Sequence, residues 1–93
     1  MSDQPEIDEF GTKRWRQNGR LHKLDGPAII YPDGEQHWFQ NGVRHRLDGP
    51  AVIYANGTQG WWIDGTLYSL SEYLEKNTSL TQEQKVMFAL EYG

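Results

Sequence analysis

The chain has 93 residues, room for one small domain and not for a second catalytic module. Its composition is 37% hydrophobic with 4 Trp, 5 Tyr, 3 Phe and 10 Gly, a mixture that favours short strands and tight turns over a helical bundle. The lack of cysteine excludes disulfide scaffolds and thiolate metal sites, and a net charge of −4 without a recognition-helix motif argues against duplex DNA as a partner.

The N-terminal segment, residues 1–10, is acidic through Asp3, Glu6, Asp8 and Glu9. It carries no basic, apolar leader, and no apolar stretch approaches the roughly 18 residues of a membrane span. A soluble, cytoplasmic protein is therefore expected.

Residues 11–70 contain a repeat. At an offset of 23, Trp15 falls on Trp38 and Trp61, Asn18-Gly19 on Asn41-Gly42 and Asp64-Gly65, and His22 on His45. Residues 15–37 and 38–60 share fourteen identities in 23 positions, too many for chance. Each period holds two reversal signals, Asn-Gly or Asp-Gly after the tryptophan segment and Asp33-Gly34 or Asn56-Gly57 after the Ala-[Ile/Val]-Ile-Tyr segment. Both suit two-residue turns with positive φ. Residues 28–31 and 51–54 are β-branched and aromatic, and so predict strands. Two reversals per period keep the tryptophan strands parallel to one another. Leu24-Asp25-Gly26-Pro27 and Leu47-Asp48-Gly49-Pro50 are then bulges within a strand rather than third reversals.

Residues 71–93 form a C-terminal helical cap. Ser69-Leu70-Ser71-Glu72 has capping-box spacing and predicts a short helix ending near Asn77. A second box, Thr81-Gln82-Glu83-Gln84, predicts a helix whose Val86, Ala89 and Leu90 share one side with Met87 or Phe88. The helices are expected to cover the open end of the sheet within a single domain.

The pattern Trp-x-x-Asn-Gly-x-x-His-[Lys/Arg]-Leu-Asp-Gly-Pro-Ala-[Ile/Val]-Ile-Tyr-x-[Asp/Asn]-Gly, carried by residues 15–34 and again by 38–57, resembles the MORN-like repeats of small proteins from tailed phages and giant viruses. The resemblance covers roughly residues 7–70. It implies a mainly β fold, an antiparallel β-hairpin repeat meander capped by two short C-terminal helices. It also implies a phage-encoded interaction scaffold, with no enzyme activity and no cofactor. The usual Gly-x-Gly end is replaced by Asp25-Gly26-Pro27 and Asp48-Gly49-Pro50, so membrane binding is not carried over.

Candidate chemistry is weighed against this scaffold. His22 with Asp25 and His45 with Asp48 suggest a metal, but equivalent positions two strands apart lie about 10 Å from each other. A metal ligand must sit about 2 Å from the ion, so each repeat offers too few ligands. His37 is expected at the surface or across a strand. Catalysis lacks a nucleophile beside a base, since the serines lie in tails or at helix caps. Trp15, Trp38 and Trp61 should form one core strip. Phe39, Trp62, Ile29 and Val52 should form a second apolar strip on the opposite face, open as a dimer or partner surface or else covered by the helices.

Residues 11–70 hold seven basic groups against five acidic ones. Arg20, His22, Lys23, Arg44, His45 and Arg46 thus suggest a basic groove for an anionic nucleotide, possible at a dimer interface, or else a solvated face. Two functions follow from these features. The first is a binding protein that occludes a host protein, such as an antiviral-defence component. The second is a sponge that sequesters a nucleotide signal.

Overall fold

The computed structural model describes residues 4–93, and Met1 to Asp3 of the acidic segment lie outside the described residues. Along the chain, the first strands are β1 (Glu6–Ile7), β2 (Lys13–Arg14), β3 (Arg16–Gln17) and β4 (Arg20–Leu21). They are followed by β5 (Ile29–Ile30), β6 (Gln36–His37), β7 (Phe39–Gln40) and β8 (Val43–Arg44). The last strands are β9 (Val52–Ile53), β10 (Gln59–Ile63) and β11 (Thr66–Tyr68), and the helices are α1 (Leu70–Lys76) and α2 (Gln82–Tyr92). The protein is thus mainly antiparallel β-sheet.

Two kinds of turn join the strands. Asn18, Asn41 and Asp64 adopt φ of 54°, 53° and 49°, and the glycine after each also has positive φ. These are the expected two-residue hairpin turns, for which Asn-Gly and Asp-Gly are suited. The second kind departs from the expectation. At Asp33-Gly34 and Asn56-Gly57 the glycine alone has positive φ, and the N–H of Tyr31 reaches Glu35 O while that of Tyr54 reaches Thr58 O. Each is a longer loop whose glycine takes the left-handed position. Asp33 and Asn56 act instead as side-chain acceptors for the N–H of Glu35 and of Thr58. The same loop occurs a period earlier, where the N–H of Asp8 donates to Thr12 O and Gly11 has φ of 89°. The 23-residue spacing therefore reaches back to β1.

The seven-stranded sheet runs in the order β1-β2-β5-β6-β9-β10-β11, and β3-β4 and β7-β8 form two-stranded ribbons beside it. Pairing changes at the tryptophans. Trp15 donates its N–H to Ala28 O and accepts from the N–H of His22, while Trp38 does the same with Ala51 and His45. Residues 23–27 and 46–50 leave the ladder between those partners, so each Leu-Asp-Gly-Pro element interrupts a strand.

Strand register assigns the two faces. Arg14, Ile29, His37, Val52 and Gly60 are cross-strand neighbours on one face. Ile7, Lys13, Ile30, Gln36, Ile53 and Gln59 are neighbours on the other. The first face is closed. Ile29, Phe39 and Val52 are buried, and Trp62 is half-buried. Of the two alternatives for Phe39, Trp62, Ile29 and Val52, an open partner surface is corrected: these side chains share a face on which Ile29, Phe39 and Val52 are core and Trp62 is half-buried beside them.

The reason lies in how the face fills itself. Phe39 stacks on His37 with centroids 6.4 Å apart, and the Arg44 guanidinium lies over both Phe39 and Trp62 at 5.1 and 5.3 Å. A Cβ on Gly60 would stand 3.1 Å from Trp62 Nε1, so the glycine makes room for the indole. His37, expected at the surface or across a strand, stands across from Ile29 and Val52 and is buried there, donating from Nε2 to Glu35 at 2.8 Å while Arg44 approaches Nδ1 at 3.4 Å.

Both helices start at the expected capping boxes, with Ser69 and Thr81 as N-caps, and α1 ends at Asn77. The buried side of α2 differs from the expected one. Phe88 and Tyr92 pack on Trp61 at 6.3 and 5.0 Å, whereas Val86, Met87 and Leu90 are exposed. Rings four residues apart match the flat indole, and this aromatic contact outweighs the aliphatic stripe.

Candidate interaction surface

Strand alternation in β10 puts Trp61 on the face of Gln59, and Trp15 and Trp38 stand at the equivalent positions just past β2 and β6. The three members of this tryptophan strip are roofed differently. Lys23 Nζ sits 3.9 Å above Trp15 and the Arg46 guanidinium 4.0 Å above Trp38, two cations at equivalent positions. At the third position the sequence has Ser69 instead of a cation. There α1 begins, and Tyr73 covers Trp61 at 4.9 Å together with the α2 rings. Trp61 is buried, while Trp15 and Trp38 remain half-buried.

Helix α1 is also fastened to the second interrupting loop. The Tyr73 hydroxyl donates to Arg46 O at 2.6 Å and approaches Gly49 O at 3.1 Å, and Asn77 Nδ2 donates to Leu47 O at 2.7 Å. Burial pushes the Tyr73 phenol up to about 12, because the phenolate would lose its water. At the N-terminal end, the Arg14 guanidinium bonded to Asp8, helped by the Thr12 N–H, holds that carboxyl below its ordinary range.

The six residues of the expected basic groove do not converge on one site. His22 Nδ1 accepts the N–H of Asn41 at 3.0 Å, and His45 Nδ1 accepts that of Asp64 at 3.0 Å. In each case a histidine ties its ribbon to the next turn, and the carbonyl before it takes the adjoining N–H, Gly42 to Leu21 O and Gly65 to Arg44 O. Lys23 and Arg46 lie over tryptophans, Arg46 also binding Asp48 and Pro50 O, and Arg44 faces the closed side. Arg20 packs beside Gly42. The two histidines thus hold neighbouring ribbons together, Lys23, Arg44 and Arg46 lie against aromatic rings, and Arg20 is exposed.

What stays open is the row Ile7, Lys13, Ile30, Gln36, Ile53 and Gln59. Ile7 is 62% exposed, Ile30 and Ile53 are half-buried, and Lys13 and Gln59 are exposed. Ile7, Ile30 and Ile53 stand at successive offsets of 23, as do Lys13, Gln36 and Gln59. Comparison of residues 15–37 with 38–60 missed this row, although carrying the offset back to residue 7 exposes it. Along its two sides run the roofed tryptophan strip and the loops at 8–12, 31–35 and 54–58.

Among the described residues no group of three or more His, Asp or Glu is placed to hold a metal ion, and no helix is long and apolar enough to cross a membrane. No protein-family model, curated protein or solved structure matches the chain.

Proposed function

We propose that this protein is a non-enzymatic binding module, a MORN-like antiparallel β-hairpin repeat meander that uses its open sheet row to occlude a partner protein. The observation that carries this reading is the row itself. Three isoleucines recur at equivalent positions with polar side chains between them, while neighbouring apolar residues on the closed face are buried. A side chain needed only for the core would not stand on the uncovered face at each period. The phage setting, in which the partner is a host protein of the bacterial cytoplasm such as a defence component, rests on the repeat resemblance. A nucleotide sponge draws no support from His22, Lys23, Arg44, His45 and Arg46, because each is engaged within the sheet.

Affinity capture of the tagged full chain from an expressing bacterium tests the reading. Wild type should retain a polypeptide that Ile30→Gln and Ile53→Gln both lose while keeping the wild-type circular dichroism spectrum. Equal capture by all three chains would overturn it.

A further inference from the structure

The chain holds three Asn-Gly pairs, Asn18-Gly19, Asn41-Gly42 and Asn56-Gly57. A side-chain amide followed by glycine is open to attack by the glycine's backbone nitrogen, because glycine has no Cβ to shield that nitrogen. All six residues are exposed, so exposure does not separate the pairs.

Hydrogen bonding does separate them. Gly42 donates its N–H to Leu21 O and Gly57 donates to Tyr54 O, each at 2.9 Å. Their asparagines are held as well. The Asn41 N–H goes to His22 Nδ1 at 3.0 Å, and the Asn56 side chain accepts from the N–H and the hydroxyl of Thr58 at 3.0 and 2.7 Å. Neither the N–H and side chain of Asn18 nor the N–H of Gly19 has a hydrogen-bond partner among the described residues. The repeat explains the difference. Each later hairpin turn is tied to the ribbon before it, the second through Leu21 O and His22, the third through Arg44 O and His45. The β3–β4 ribbon is the first in the array, so its turn has no such neighbour. Room differs too, since a Cβ on Gly42 would meet Arg20 at 3.7 Å while one on Gly19 would meet nothing within 4 Å.

We propose that Asn18 is a modification site, deamidated to aspartate or isoaspartate in the folded protein while Asn41 and Asn56 are protected by their hydrogen bonds. The Gly19 nitrogen gives its proton to solvent base and bonds to Asn18 Cγ. The Cγ–Nδ2 bond breaks, Nδ2 takes up a proton and leaves as ammonia, and a cyclic imide remains. Water then adds to one imide carbonyl and the C–N bond to Gly19 opens on that side, which gives aspartate or isoaspartate. At Gly42 and Gly57 the attacking nitrogen must first leave its carbonyl partner. Asp64-Gly65, at the same place in the third turn and with the same positive φ, shows that the aspartate product fits. Isoaspartate adds an atom to the main chain and disturbs the pairing of Gln17 with Arg20.

The test incubates folded and guanidinium-denatured full chain side by side in mildly alkaline buffer and maps each site by peptide mass spectrometry. In the folded chain Asn18 should convert at least about fivefold faster than Asn41 or Asn56, the factor that one net hydrogen bond supports. In denaturant the three rates should draw together, because glycine follows each asparagine. Asn18→Asp should keep the wild-type circular dichroism spectrum and lose the fast phase of ammonia release. Equal rates at the three sites of the folded chain, an earlier conversion of Asn41 or Asn56, or an Asn18 that stays intact while the denatured chain converts would each overturn the assignment. So would an equal preference for Asn18 in denaturant, which would make it a property of local sequence and not of the missing ties.

Discussion

Ile29 and Ile30 are adjacent in β5, and Val52 and Ile53 are adjacent in β9, yet each pair splits between a closed face and an open one. Ile29 and Val52 are 6% and 1% exposed, held beside Phe39, His37 and Trp62. Ile30 and Ile53 stand half-buried between Lys13, Gln36 and Gln59. Composition and strand propensity are the same on both sides of each pair. What differs is the cross-strand company, aromatic rings and a guanidinium on one face, flexible polar chains on the other. Burial in so thin a sheet is therefore decided by what the next strand offers, and a residue shifted by one position changes from core to surface.

One substitution placed on the two faces breaks this contrast most strongly. Val52→Gln buries an amide with no partner and should cost about 3 kcal/mol or more, leaving little folded protein. Ile53→Gln should cost no more than about 1 kcal/mol, because glutamine already occupies the row at Gln36 and Gln59. Urea titrations of the two chains compare them directly.

The helical cap sharpens the contrast, because it seals one end of the open face. Tyr73 is fully buried, so Tyr73→Ala should cost about 3–5 kcal/mol and release both helices, seen as lost helical circular dichroism. Tyr73→Phe removes only the hydroxyl that serves Arg46 O and Gly49 O, for about 1–3 kcal/mol. The phenol also gives the cap a signature in pH. Its folded value is raised from 10.0 to about 12, so its stabilisation is complete below 10.0 and disappears as pH rises through about 12. Tyr73→Phe should lose that alkaline decline, as melting temperatures between pH 9 and 12 would show.

Smaller effects belong to the ties between ribbons. His22→Ala and His45→Ala each leave a turn N–H without its acceptor, and each should cost about 1 kcal/mol with faster amide exchange at Asn41 or Asp64 respectively. Lys23→Ala removes a single cation from Trp15 and should cost about 0.5–1 kcal/mol. Arg46→Ala should exceed it, since Arg46 also binds Asp48 and Pro50 O.

Local chemistry made the turns and helix starts legible in the sequence. Asn18-Gly19 and Asn41-Gly42 announce their φ values, and the two capping boxes fix where α1 and α2 begin, because a few neighbouring residues determine each feature. The sequence also assigned Ile29, Val52, Phe39 and Trp62 to one face. Their burial was not legible, since it depends on Arg44 crossing to Phe39 and Trp62 and on the space left by Gly60, contacts made between strands. The sequence argued against His22 and His45 as metal ligands and grouped them with the basic side chains of a candidate anion groove. Only the placement of the following turn shows that each accepts a backbone N–H. The isoleucine row was written in the 23-residue offset, but Ile7 lies before the first tryptophan and outside the most conspicuous copy.

The most direct test of the open row is quantitative partner capture by wild type, Ile30→Gln and Leu90→Gln, with the folded fraction of each measured on the same samples. Ile30→Gln should be folded and lose its partner, while Leu90→Gln, altered only on the exposed side of α2, should keep it. A folded Ile30→Gln that retains the partner at wild-type level would contradict the assignment of the row as the binding surface.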